Sequence, residues 1–163
     1  MHPQFNWNAI DYFKFLVESN KLAVSLDMKF FTGSGLNSFE QAVDNFLETL
    51  CFCMLTESSD GRLSTENSPN SRRVKTVFLA MRHGENDDDA RRMCIDTLTE
   101  VFRQFMSHLI REKIKLLQLG IYLEPVVEFH EFNEFYFSGC AAIYFHIPFT
   151  TAVDLTFDKS QWN

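Results

Sequence analysis

Between Asn86 and Gly120 the sequence carries a long run of apolar residues at helical spacing. Ile95, Leu98, Phe102, Phe105 and Leu109 recur at alternating intervals of three and four, and Val101, Met106 and Ile110 widen the stripe. That period belongs to an α-helix with one buried face. Asn86 is placed to cap it. Asp87, Asp88 and Asp89 fill its first turn, and Arg111, Lys113 and Lys115 crowd its far end, as the helix dipole favours. Gly120 is the expected stop. A helix of about 25–30 residues, rising about 1.5 Å per residue, crosses a whole domain of this size.

The elements around it predict an α+β domain. Trp7–Asn20 places Ile10, Phe13, Leu16 and Val17 on one helical face. Residues 22–32 fit either a strand or a further helix. Ser38 and Gln41 form a capping box for a helix over 39–48, with Phe39, Val43, Phe46 and Leu47 inward. The continuously apolar run 49–56 suits a strand buried on both faces. Residues 57–71 are polar and contain Gly61 and Pro69, so they predict an exposed loop at the tip of a hairpin whose second strand is 72–82. Residues 125–132 alternate, Val127 and Phe129 against Glu128 and His130, and predict a strand. A second strand is expected over 135–147, bent at Gly139 and interrupted by Pro148, followed by a strand or extended tail over 150–158. The order is α-α-β-β-α-β-β, with an antiparallel sheet carrying the helices on one face. The expected organisation is one domain over 1–163, with an exposed loop at 57–72 and an extended segment at 149–163.

Composition excludes several classes. The chain has 163 residues, enough for one self-sufficient core. No run of 18 apolar residues offers a membrane span, and the opening residues lack the basic-then-apolar pattern of a secretory signal. Four cysteines stand at 51, 53, 94 and 140 without metal-knuckle spacing and read as reduced, buried thiols of a cytosolic product. The formal net charge is −7. It is spread unevenly: residues 61–120 hold 11 bases and 8 acids, whereas residues 121–163 hold 6 acids and 1 base. An acidic chain is a poor nucleic-acid binder, yet its basic middle suits an acidic partner.

Two constellations carry candidate chemistry. FLAMRHGEN (78–86) resembles the phosphohistidine signature of histidine phosphatases and phosphoglycerate mutases, in which a histidine attacks phosphorus between arginines. Arg82, His83, Gly84 and Glu85 would be the matching residues. In that family the motif opens a larger domain, with a second histidine and a glutamate later. Here 77 residues precede it and no comparable His-Gly follows. Three aspartates beside it would also repel a phosphate. The plain alternative is a polar turn between a strand and a capped helix. Glu128, His130 and His146, with Glu131, have the composition of a metal site, without a ligand spacing that fixes one. No cofactor or metal is assigned.

Aromatic content is the remaining signal. Eighteen phenylalanines are present, and Phe129, Phe132, Phe135, Phe137, Tyr144, Phe145 and Phe149 fall within 21 residues. Such a crowd predicts apolar sheet surface that only a second copy covers. The opening NAIDYFKFLVESNKLA (8–23), the strand before a polar loop (49–71) and the closing GCAAIYFHIPFTTAVDLTFDKSQW (139–162) together resemble tail-terminator and tail-completion proteins of long-tailed bacteriophages, especially structural proteins of Bacteroides phages. The resemblance implies a non-enzymatic virion protein at the head–tail junction, assembled in the host cytoplasm. It implies a six-membered ring that caps the tail tube and meets head-side connector proteins, with DNA only as passing cargo and no membrane. A head-closure or adaptor role is the nearest alternative. The expected contact residues are Arg62, Arg72, Arg73, Phe145, Phe149, Phe157 and Trp162.

Overall fold

The computed structural model describes residues 7–34, 51–56, 61–84, 87–132 and 139–162. Helix α1 (Ala9–Ser19) begins at Asn8, whose side chain accepts from the Asp11 amide at 3.2 Å. Asn20 closes α1 through its own amide and opens the short α2 (Lys21–Ser25), its side chain accepting from the Ala23 amide at 2.9 Å. Asp27, at a φ of 49°, then turns the chain into strand β1 (Lys29–Gly33). Residues 22–32 are therefore helix and strand in succession. The helix expected over 39–48 lies outside the described residues.

Strands β2 (Cys51–Thr56), β3 (Gly61–Ser64) and β4 (Asn70–Arg82) follow. Next comes the long helix α3 (Asp88–Gln118), of 31 residues, and then β5 (Ile121–Leu123), β6 (Glu128–Glu131) and β7 (Cys140–Ala152). The sheet runs β1-β2-β4-β7-β5, with β3 also on β4 and β6 also on β7. All pairings are antiparallel except β1 with β2. Its spine is β4 against β7, paired without a break from Asn70↔Ala152 to Arg82↔Cys140. The α+β class and the single long helix are as the sequence predicts.

Asp87 caps α3, its carboxylate accepting from the Ala90 amide at 2.9 Å. Gly120 ends the turn beyond it at a φ of 77°, where a side chain would be strained. Helices α1, α2 and α3 share one face of the sheet. Phe13, Leu16 and Val17 of α1 and Leu98, Val101, Phe105 and Leu109 of α3 pack on Cys51, Cys53, Leu55, Val77, Leu79, Ile143, Phe145 and Ile147. Alternation along the strands sends Phe52, Met54, Phe78, Ala80, Cys140 and Ala142 to the opposite face, where Phe31, Phe132 and Tyr144 join them. All six of those strand residues are buried, so β2 is covered on both sides. The continuous apolar run had required that.

Three expectations are corrected. The polar stretch 57–72 is not one open loop. Residues 61–64 form β3, hydrogen-bonded to residues 70–73, and the connection between β3 and β4 shrinks to 65–69. Asn67 and Ser68 turn it with φ of 46° and 81°. Pro148 does not interrupt the last strand, which continues to Ala152. The Pro148 carbonyl accepts from the Glu124 amide at 3.1 Å, so its nitrogen faces the same side. On that side Glu124 extends the β5 register by one pair, so the proline costs only the return bond of that last pair and leaves the pairing with β4 intact. Finally, residues 150–152 belong to β7, and 153–158 run without regular structure to a 3-10 turn at Lys159–Gln161.

Candidate interaction surfaces

Phe145 and Phe149 lie in the core at 0% and 1% exposure, Phe145 against Phe13 and Phe102 and Phe149 edge-on to Trp7. Neither offers a surface, so the expected contact through them is withdrawn. Both lie on the helix-covered face of the sheet, while Phe52 and Phe78 are buried on the other face beside Phe31, Phe132 and Tyr144.

Arg62, Arg72 and Arg73 lie on the β3–β4 ribbon. The register sets Arg62 directly opposite Arg72, and Gly61 opposite Arg73. Facing like charges repel. Glu124, just after β5, offsets this by taking two bonds from Arg72, at 2.5 Å from Nε and 3.0 Å from Nη2. The bonds hold the guanidinium firmly in its charged form. Replacing Glu124 with Gln is expected to lower stability by about 0.5–1 kcal/mol at low salt and by less at high salt, read from urea denaturation at two ionic strengths. An equal loss at both would show packing, not charge, at work.

Phe157 and Trp162 are 72% and 69% exposed and stack on each other, centroids 6.1 Å apart and planes 24° apart. Asp158 organises the turn between them. Its carboxylate accepts from the Ser160 amide and hydroxyl at 2.9 and 2.7 Å. Those hydrogen bonds hold its carboxyl below the usual carboxylate range. Leu155 is exposed on the same segment.

A second exposed apolar patch was not foreseen. Ile110, expected to widen the buried stripe of α3, is 70% exposed, as is Ile114. Leu117 and Leu119 are more than half exposed. At 100° per residue Ile110, Ile114 and Leu117 share a face opposite Phe105, Leu109 and Leu116. Arg111 and Lys113 flank it, and the Lys113 ammonium lies 5.7 Å from the centroid of the Tyr122 ring. Aliphatic residues four and seven apart on the solvent side of a helix were the signal in the sequence.

On the outer sheet face the strand reading of the imidazoles holds. Glu128 faces His146 and His130 faces Tyr144 across β6 and β7. His130 stacks on Tyr144 at 4.9 Å, and the His130 and His146 rings are 6.0 Å apart. His146 Nδ1 is hydrogen-bonded to the Thr76 hydroxyl at 2.9 Å. Among the described residues no three His, Cys, Asp or Glu side chains converge to hold a metal ion. The pair therefore reads as a polar-aromatic sheet face.

Arg82 ends β4, and His83 and Gly84 follow it on the way to α3. His83 is held by its backbone, its amide donating to the Gly139 carbonyl at 3.0 Å, and its ring Nδ1 lies 2.8 Å from the Gly84 carbonyl. The Arg82 carbonyl meets the Cys94 thiol at 3.8 Å. These contacts tie the turn to both neighbouring elements. Glu85, the last residue of the motif, lies outside the described residues. The four thiols are all buried and unbridged, and no described helix is long and apolar enough to cross a membrane.

No protein-family model matches the chain, and no curated protein matches it significantly.

Proposed function

We propose that this protein is a virion structural subunit of the bacteriophage head–tail junction, a ring-forming tail terminator that works by shape and self-association. The reading starts from the resemblance carried by segments 8–23, 49–71 and 139–162. The observation that carries it furthest is a subunit with a well-filled core that still presents two separate apolar patches, on α3 and on the C-terminal segment. Two different patches on one subunit suit a heterologous contact, and a heterologous contact repeated by rotation closes into a ring. The ring would number six, meet the tail tube on one side and head-side connector proteins on the other, and let DNA pass through an acidic lumen. A head-closure or adaptor ring of the same neck is the alternative within this reading. The role requires no catalysis and no cofactor, and the place of action is the virion, after assembly in the host cytoplasm.

Negative-stain images of the purified full-length protein test this. The expected particle is a closed annulus with a hole wide enough for a DNA duplex. A monomer at the highest soluble concentration, or a two-fold dimer, is the contrary result.

A further inference from the structure

We propose that the C-terminal segment of one copy docks on the solvent face of α3 of the next copy, Phe157 and Trp162 covering Ile110, Ile114 and Leu117. This rests on the ring-forming reading above and supplies its contact. Both surfaces are apolar and open within the subunit: the two aromatics are 72% and 69% exposed and the two isoleucines 70%. Burying two large aromatics removes roughly 300–500 Å² from water, a large share of the roughly 800 Å² per partner that a stable interface needs.

Charge selects the pairing. Segment 153–162 holds Asp154 and Asp158 against Lys159, one net negative charge. Segment 110–118 holds Arg111, Lys113 and Lys115 against Glu112, two net positive charges. Two copies of the helix patch facing each other would oppose those positive charges, whereas segment against helix joins unlike charges. The docking segment is also partly ordered in advance. Asp158 caps its turn and the two rings already stack, which lowers the entropy lost on binding. The start of the segment is anchored, since the Val153 amide donates to the Pro69 carbonyl at 3.0 Å and Ala152 pairs with Asn70. A short tether of this kind presents the aromatics outward from the ribbon end of the sheet.

The test mixes two variants of the full chain, Trp162→Asp and Ile114→Asp, and measures mass by light scattering. Each alone is expected to be monomeric, with the apparent dissociation concentration raised at least about tenfold. Mixed one to one they retain one intact contact, so a heterodimer forms and growth stops there. Both substitutions are at exposed sites, and an unchanged urea midpoint confirms folding; Ile110→Lys replaces Ile114→Asp should the latter not fold. Wild-type assembly with both variants unchanged in mass overturns this contact and leaves the ring reading standing. Loss of assembly without recovery on mixing also overturns it. A monomeric wild type overturns both.

Discussion

Phe145→Ala is expected to destabilise the subunit by about 3–5 kcal/mol, a large fraction of the about 5–15 kcal/mol that holds most domains folded. The side chain is fully buried at the centre of the spine, opposite Val77 on β4 and Phe129 on β6. Its ring touches Phe102 and Phe13, centroids 4.7 and 6.2 Å away, so truncation leaves a cavity that α1 and α3 together must fill or leave empty. For a chain of this length the melting midpoint should fall by about 6–20 °C. Trp162→Asp, at an exposed site, should stay within about 0.5 kcal/mol of the parent. Urea denaturation of dilute protein measures both. A Phe145→Ala subunit with the parental midpoint would mean that this side chain does its work outside the core.

Alkali should unfold the protein earlier than its surface charge suggests. Burial pushes the Cys51 thiol up to about 12 and the Cys140 thiol up to about 11, and it raises Cys53 and Cys94 as well. A raised value means that the folded state keeps protons the unfolded chain releases. The resulting stability is complete below the unfolded thiol range near pH 9 and is lost progressively from there as pH climbs to 11 and 12. At about 1.4 kcal/mol per unit, Cys51 and Cys140 together lose on the order of several kcal/mol by pH 11. Tyr12, raised by its burial and by Glu112, adds to the decline above pH 10 with the same sign. Urea midpoints between pH 8 and pH 11 should fall steadily, and Cys51→Ala should flatten the slope. A thiol reagent at pH 8 should modify the four cysteines only on unfolding. Rapid modification of the folded protein, or a level profile to pH 11, would contradict the burial seen here.

The sequence was most legible where one side chain period ran long enough to dominate. Helix α3 and its stop at Gly120 follow from spacing and one glycine, and the doubly covered β2 follows from TLCFCMLT, since no polar position interrupts the run. Strand β3 was missed because Gly-Arg-Leu-Ser carries neither alternation nor apolar weight; it is a strand because β4 offers it hydrogen bonds. Strand β5, only Ile121–Leu123, is likewise set by its partner β7. Pro148 misled because the usual cost of proline in a strand depends on which side the missing N–H faces, and that is a property of the neighbours. The contact residues were read less well. Of the aromatics crowded into 129–149, Phe145 and Phe149 belong to the core, whereas Phe129 is half exposed. The exposed patch on α3 lay in a stripe that periodicity alone could not divide into its buried and solvent sides near its end.

The unbroken pairing of β4 with β7 has a consequence for biosynthesis. It joins residues 70–82 to residues 140–152, with the whole of α3 threaded between. On the ribosome, β4 therefore emerges long before its principal neighbour, and its apolar centre waits with one edge unsatisfied. Helix α3 forms quickly from local contacts while the sheet stays open, so closure waits for residues 140–152 to be translated. The nascent protein acquires its central ladder only once β7 has emerged, and the interval before that is when a chaperone would matter most.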